Sequence, residues 1–102
     1  MDKMDKERLQ EQINIFNEET SKYPLLMDIE VAELLPIYKS IAYMRAATYK
    51  LILDRMINYI NELSEDEGIN LIRNLKSVNS NLIEVNKQIK TEQWQMAFCS
   101  GV

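Results

Sequence analysis

Histidine is absent from the chain, cysteine occurs once, and glycine and proline occur twice each. Gly68 and Gly101 alone cannot build a P-loop or a dinucleotide-binding turn, because both motifs need several glycines to bring backbone close to phosphate. With no histidine and only Cys99, there is no soft-ligand set for zinc, haem or an iron–sulfur cluster. Nor is there a Ser–His or Cys–His pair for nucleophilic catalysis. The acidic run Glu65-Asp66-Glu67-Gly68 invites a calcium loop, but with Gly68 at its turn position the first and last ligands would be Leu63 and Asn74. Carboxylates, tyrosines and lysines remain, and no spacing pairs them. The expectation is a non-enzymatic protein that needs neither metal nor cofactor, with no catalytic residue.

A lone cysteine closes no intrachain disulfide, so a reduced, cytoplasmic setting is expected. The longest uncharged apolar runs, residues 40–44 and 46–49, are closed by Arg45 and Lys50 and are too short to span a bilayer. The first dozen residues alternate charges and contain no signal-peptide core.

What is present is helix-forming. The 102 residues are 46% hydrophobic and 27% charged, enough for one helical domain over residues 1–102 with a core of its own. Residues 5–19 set Leu9, Ile13 and Phe16 on one stripe of a short amphipathic helix, which the turn before Pro24 must end. Asp28 offers the next N-cap, with Glu30 and Glu33 near the positive helix end. Pro36 interrupts a helical pattern, and a kink or a split is expected there. Residues 37–63 are apolar on two sides: Ile37, Ile41, Met44, Leu51 and Ile52 on one, Ala42, Ala46, Tyr49, Leu53, Ile57 and Ile60 on the other. Such a helix is expected at the centre of the fold.

Ser64 and Glu67 have capping-box spacing at the start of the last helix. There Leu71, Leu75, Val78, Leu82, Val85 and Ile89 recur at four- and three-residue steps, a coiled-coil heptad seam that demands a long partner helix. Asn70, Asn74, Asn79, Asn81 and Asn86 flank it and are expected to make the other faces polar and exposed. Residues 37–63 and 65–94 would be rods of roughly 40 and 45 Å, longer than the ~26 Å across a 100-residue sphere. The predicted fold is therefore all-α: an elongated three- or four-helix bundle built on a long antiparallel hairpin. The first helix covers only part of that hairpin, and an apolar face left open is usually closed by a homodimer or by another protein.

The string Val31-Ala32-Glu33-Leu34-Leu35, followed by Ala42-Tyr43, resembles the core of an excisionase-type helix-turn-helix. That resemblance implies a recognition helix in the major groove of DNA, with Lys39, Arg45 and Lys50 neutralising phosphates. Pro36 stands where that family carries its turn glycine, and the match spans about thirteen residues. Charge favours a protein partner, because the chain has net charge -4 and pI near 4.8, whereas nucleic-acid-binding domains are broadly basic. Its first 35 residues hold four bases against nine acids, which suits a partner with a basic surface. The functional expectation is a protein-interaction module acting as inhibitor, adaptor or assembly factor. A short lysine- and asparagine-rich chain of this kind fits a bacteriophage or mobile-element protein that masks a host protein such as a nuclease. The candidate partner-binding residues are a strip of Lys39, Tyr43, Ala47 and Lys50, and the aromatic tail residues Trp94 and Phe98.

Overall fold

The computed structural model describes residues 3–91 and contains four α-helices: α1 (Lys3–Lys22), α2 (Ile29–Ala32), α3 (Ile37–Met56) and α4 (Glu65–Thr91). Two 3₁₀ turns, Pro24–Met27 and Ile57–Glu62, join α1 to α2 and α3 to α4. The assembly is all-α and elongated, with extents of 47 × 22 × 19 Å. Among the described residues no helix is long and apolar enough to cross a membrane. Trp94 and Phe98, expected to bind a partner, lie outside the described residues.

The caps form where the side chains allow them. Asp28 ends the loop in extended conformation, and its carboxylate accepts from the Glu30 amide at 2.9 Å, satisfying a free donor of α2. Ser64 Oγ accepts from the Glu67 amide at 3.2 Å and donates to the Glu67 carboxylate at 2.8 Å, while Glu65, Asp66 and Glu67 sit at the positive end of α4. Pro36 splits the helix rather than kinking it. With φ −51° and ψ 146° it becomes the N-cap of α3, and α2 stops after a single turn. The expected α-helix to residue 63 also stops early, at Met56. The next six residues tighten into a 3₁₀ turn that fully buries none of its side chains, with Ile60 half-buried against the core.

The element at the centre is α4, not α3. Leu71, Leu75, Val78, Leu82, Val85 and Ile89 are all buried, and both α1 and α3 pack on this seam. Leu9, Ile13 and Phe16 of α1 are buried with them, as the stripe predicts. The side of α3 carrying Ala42, Ala46 and Leu53 is also buried, whereas Ile37, Ile41 and Leu51 on the other side are exposed. Apolar character on two sides thus overstated the burial of α3, which packs through one. The α3–α4 pair is the expected antiparallel hairpin, since Tyr38 donates to Gln88 at 2.9 Å and Tyr43 donates to Asn86.

α1 runs parallel to α4. The Asn79 amide donates to the Gln12 carbonyl at 2.9 Å and to its side-chain oxygen at 3.0 Å. The Asn86 amide reaches Glu19 in the same way, at 3.1 and 3.2 Å. Both pairs are 67 residues apart, and the two contacts are one heptad apart on each helix. Asn79 and Asn86, expected on the exposed faces, are 2% and 4% exposed. They are buried because they lie beside the seam on the side that α1 covers, and a polar partner on α1 meets each of them.

Candidate protein-interaction surface

On an ideal helix at about 100° per residue, the residues of α3 divide into two opposed stripes. Lys39, Ala42, Tyr43, Ala46 and Leu53 form the inner stripe and are buried. Ile37, Ile41, Met44, Thr48, Leu51 and Arg55 form the outer one, at steps of four, three, four, three and four. That outer stripe has the spacing of a coiled-coil seam, but among the described residues no helix lies on it: Ile37 is 79% exposed, Leu51 62% and Ile41 49%. Three large aliphatic side chains on one open face leave more apolar surface together than isolated exposed residues do.

A groove of about 490 Å³ deepens this face where the chain enters α2. Met27 and Ile29 form one wall, and Ala47, Lys50, Leu51 and Asp54 of α3 form the other. The wall stands there because the Asp28 cap turns α2 back against α3. Arg45, Lys50, Asp54 and Arg55 are exposed around the apolar stripe, Asp28 is exposed across the groove from Lys50 and Asp54, and Glu33 is exposed just before the α3 N-terminus. The face therefore carries charges of both signs around its apolar stripe.

The expected binding strip divides between core and surface. Ala47 and Lys50 line the groove. Lys39 and Tyr43 do not belong to any surface strip: they are 1% and 0% exposed. The strip sets them at the surface with Lys50, but the antiparallel packing of α3 on α4 buries both and leaves Lys50 exposed. Tyr43 is buried by its role as a linker: its hydroxyl donates to Asn86 Oδ1, and Asn86 in turn holds Glu19. Burial, reinforced by the nearby Tyr23 and Glu19, pushes the Tyr43 phenol well above its usual pKa. Lys39 keeps its ammonium 5.7 Å from the centre of the Tyr38 ring, within reach of a cation–π attraction. Burial of Lys39 also leaves only Arg45 and Lys50 of the three expected phosphate-binding side chains exposed on α3.

A second cleft, about 570 Å³, lies at the other end of the polar contacts, between Glu19, Lys22 and Tyr23 of the first segment and Asn86, Lys87 and Lys90 of α4. The Lys22 ammonium sits 2.6 Å from Glu19 Oε2, and that hydrogen bond raises its pKa against the opposing effect of desolvation. Because α1 and α4 are parallel, their C-terminal ends, both partially negative, lie side by side here. Lys22, Lys87 and Lys90 offset that charge. An anionic ligand would meet two helix C-termini, so these lysines are accounted for without one.

Comparison with protein-family models, with curated proteins and with solved structures finds no match for this chain.

Sequence reasoning missed the Gln12–Asn79 and Glu19–Asn86 contacts. A signal was present in the matching seven-residue spacings of the two pairs, on helices whose seams share a heptad period. It also missed Ile29, because nothing in a linear pattern shows that a one-turn helix folds back to wall a groove.

Proposed function

We propose that this chain is a non-enzymatic protein-interaction module that docks a helical protein surface on the outer face of α3, working as an inhibitor, adaptor or assembly factor by covering that surface. One observation carries the reading. The outer stripe has coiled-coil spacing, lies opposite the buried stripe of the same helix, and remains open at Ile37, Ile41 and Leu51. A helix that needed only to complete this bundle would gain solubility from polar residues at those positions. The groove between Ile29 and Leu51 supports the same use, since it supplies a recess beside the stripe for a side chain of the partner.

The test is capture on the immobilised chain, with and without nuclease, comparing the wild type with the double variant Ile41→Glu and Leu51→Glu. Both side chains are open, so the variant should keep the wild-type circular dichroism and melting curve. The expected result is a stoichiometric protein, resistant to nuclease and lost from the variant. Retention that is unchanged in the variant overturns the reading. So does retention of duplex DNA that disappears with nuclease and salt, which would restore the helix-turn-helix resemblance as the leading account.

A further inference from the structure

We infer that the occupant of the α3 outer face is a second copy of this chain, packed antiparallel about a twofold axis near the middle of α3. The inference rests on the reading of that face as a docking surface, and it names the partner. Its first support is the symmetry of the stripe. Steps of four, three, four, three and four read the same in both directions, so two copies related by a twofold axis can interdigitate with every layer filled. Ile41 then meets Leu51 of the other copy, Met44 meets Thr48, and the stem of Arg55 covers Ile37.

Charge favours one direction. The C-terminal half of α3 exposes Lys50 and Arg55, with Asp54 between them and Asp28 across the groove, while Glu33 is exposed just before its N-terminus. A parallel pair would set like charge against like. The antiparallel pair brings Lys50 and Arg55 of each copy toward the Glu33 end of the other, which favours both encounter and register.

Area is also sufficient. Ile29, Ile37, Ile41 and Leu51 are each open by about half or more. At roughly 100 Å² of open surface for each such side chain, together they offer about 400 Å². A standard interface buries about 800 Å² per partner, of which somewhat over half, about 450 Å², is apolar. Half-buried Met44 and Ala47, together with the aliphatic stems of Arg45 and Arg55, complete that requirement.

Sedimentation equilibrium of the full chain over a micromolar range tests the inference. The expected wild-type species has twice the 12.0 kDa mass of one chain. Ile41→Glu with Leu51→Glu should weaken association about 100-fold or more by placing four carboxylates in an apolar seam, with circular dichroism unchanged. Lys50→Glu with Arg55→Glu should weaken it about tenfold, and Glu33→Lys in the same chain should restore part of it. Orientation is read in a Cys99→Ser background. Ile41→Cys and Leu51→Cys chains should form a mixed disulfide when combined and little disulfide when oxidised separately. A wild type that sediments as a monomer throughout overturns the second copy, while loss of captured protein in the acidic variant would still uphold the docking surface. A dimer unaffected by the acidic substitutions overturns both. Homotypic Ile41→Cys disulfides would overturn the antiparallel arrangement.

Discussion

Asn86 is the residue at which three helices meet. Its amide donates to the Glu19 carbonyl and carboxylate of α1, and its oxygen accepts the Tyr43 hydroxyl of α3. Asn79, one heptad earlier, holds only Gln12, and its Oδ1 is buried without a hydrogen-bond partner among the described residues. The two asparagines should therefore respond differently to truncation. Asn86→Ala leaves a buried phenol and a buried carboxylate each short of a partner and should cost about 3 kcal/mol in urea unfolding. Asn79→Ala removes an acceptor that was already unsatisfied and should cost about 1 kcal/mol. Equal losses would mean that Asn86 does not tie the helices together. The same site predicts a pH dependence. The folded Tyr43 phenol holds its proton above the ordinary tyrosine pKa of 10.0, so above that pH the unfolded chain releases a proton that the folded chain keeps. The contribution is complete below pH 10 and is lost as pH rises beyond it, so stability should fall on the alkaline side more steeply in wild type than in Tyr43→Phe. Parallel curves for the two proteins would place the Tyr43 hydroxyl in water.

At the scale of elements, stability at the start of α4 should depend on its cap, because this helix carries the seam on which α1 and α3 both pack. Ser64→Ala removes the acceptor for the Glu67 amide and should cost about 1 kcal/mol, or roughly 4–8 °C in melting temperature for a domain of this size. Ser64→Asp should restore most of it, and no change in either variant would mean that the 3₁₀ turn before α4 already fixes the helix start. This cap was legible in the sequence because Ser64 and Glu67 act within one turn, and the same holds for Asp28 and for the stop at Pro36. The seam of α4 was legible because six apolar residues keep a single period. What the sequence did not show was which of two apolar helices lies in the middle. Ile37, Ile41 and Leu51 have the composition of core residues, and their exposure depends on where α1 docks, a contact made 67 positions away in the chain. For the same reason Lys39 and Tyr43 read as surface residues: their polarity is visible locally, and the helix that covers them is not. Of the candidate site, Ala47 and Lys50 line the groove, Ala47 between the two stripes and Lys50 on the azimuth of the inner one but exposed.

For the whole molecule, the parallel pairing of α1 with α4 closes the fold. The antiparallel α3–α4 hairpin forms between neighbours in the chain, but it covers only part of the α4 seam. Leu9, Ile13 and Phe16 supply the remainder, and Gln12 and Glu19 partner the two buried asparagines. The two 67-residue contacts also fix the register. A shift of α1 by three residues that sets Leu9 against Asn79 and Phe16 against Asn86 would leave both amides without their side-chain partners, at a cost of about 1–3 kcal/mol for each buried group. Removing residues 1–22 should therefore do more than subtract one helix. It strips the cover from Leu75, Leu82 and Ile89 and leaves polar groups of the spine without partners, so the remaining chain should keep helical circular dichroism, bind a hydrophobic dye and melt without a cooperative transition. A synthetic peptide of residues 3–22 added back should restore the sharp transition, with a midpoint that rises with peptide concentration. In that complementation assay Gln12 and Glu19 can be tested apart from chain connectivity. A peptide carrying Glu19→Leu should restore less stability than the native peptide, although it is more apolar, because it leaves Asn86 with one partner fewer and leaves Lys22 without its carboxylate. A deleted chain that melts sharply near the wild-type temperature would show instead that the hairpin is a complete fold and that α1 is an attachment to it.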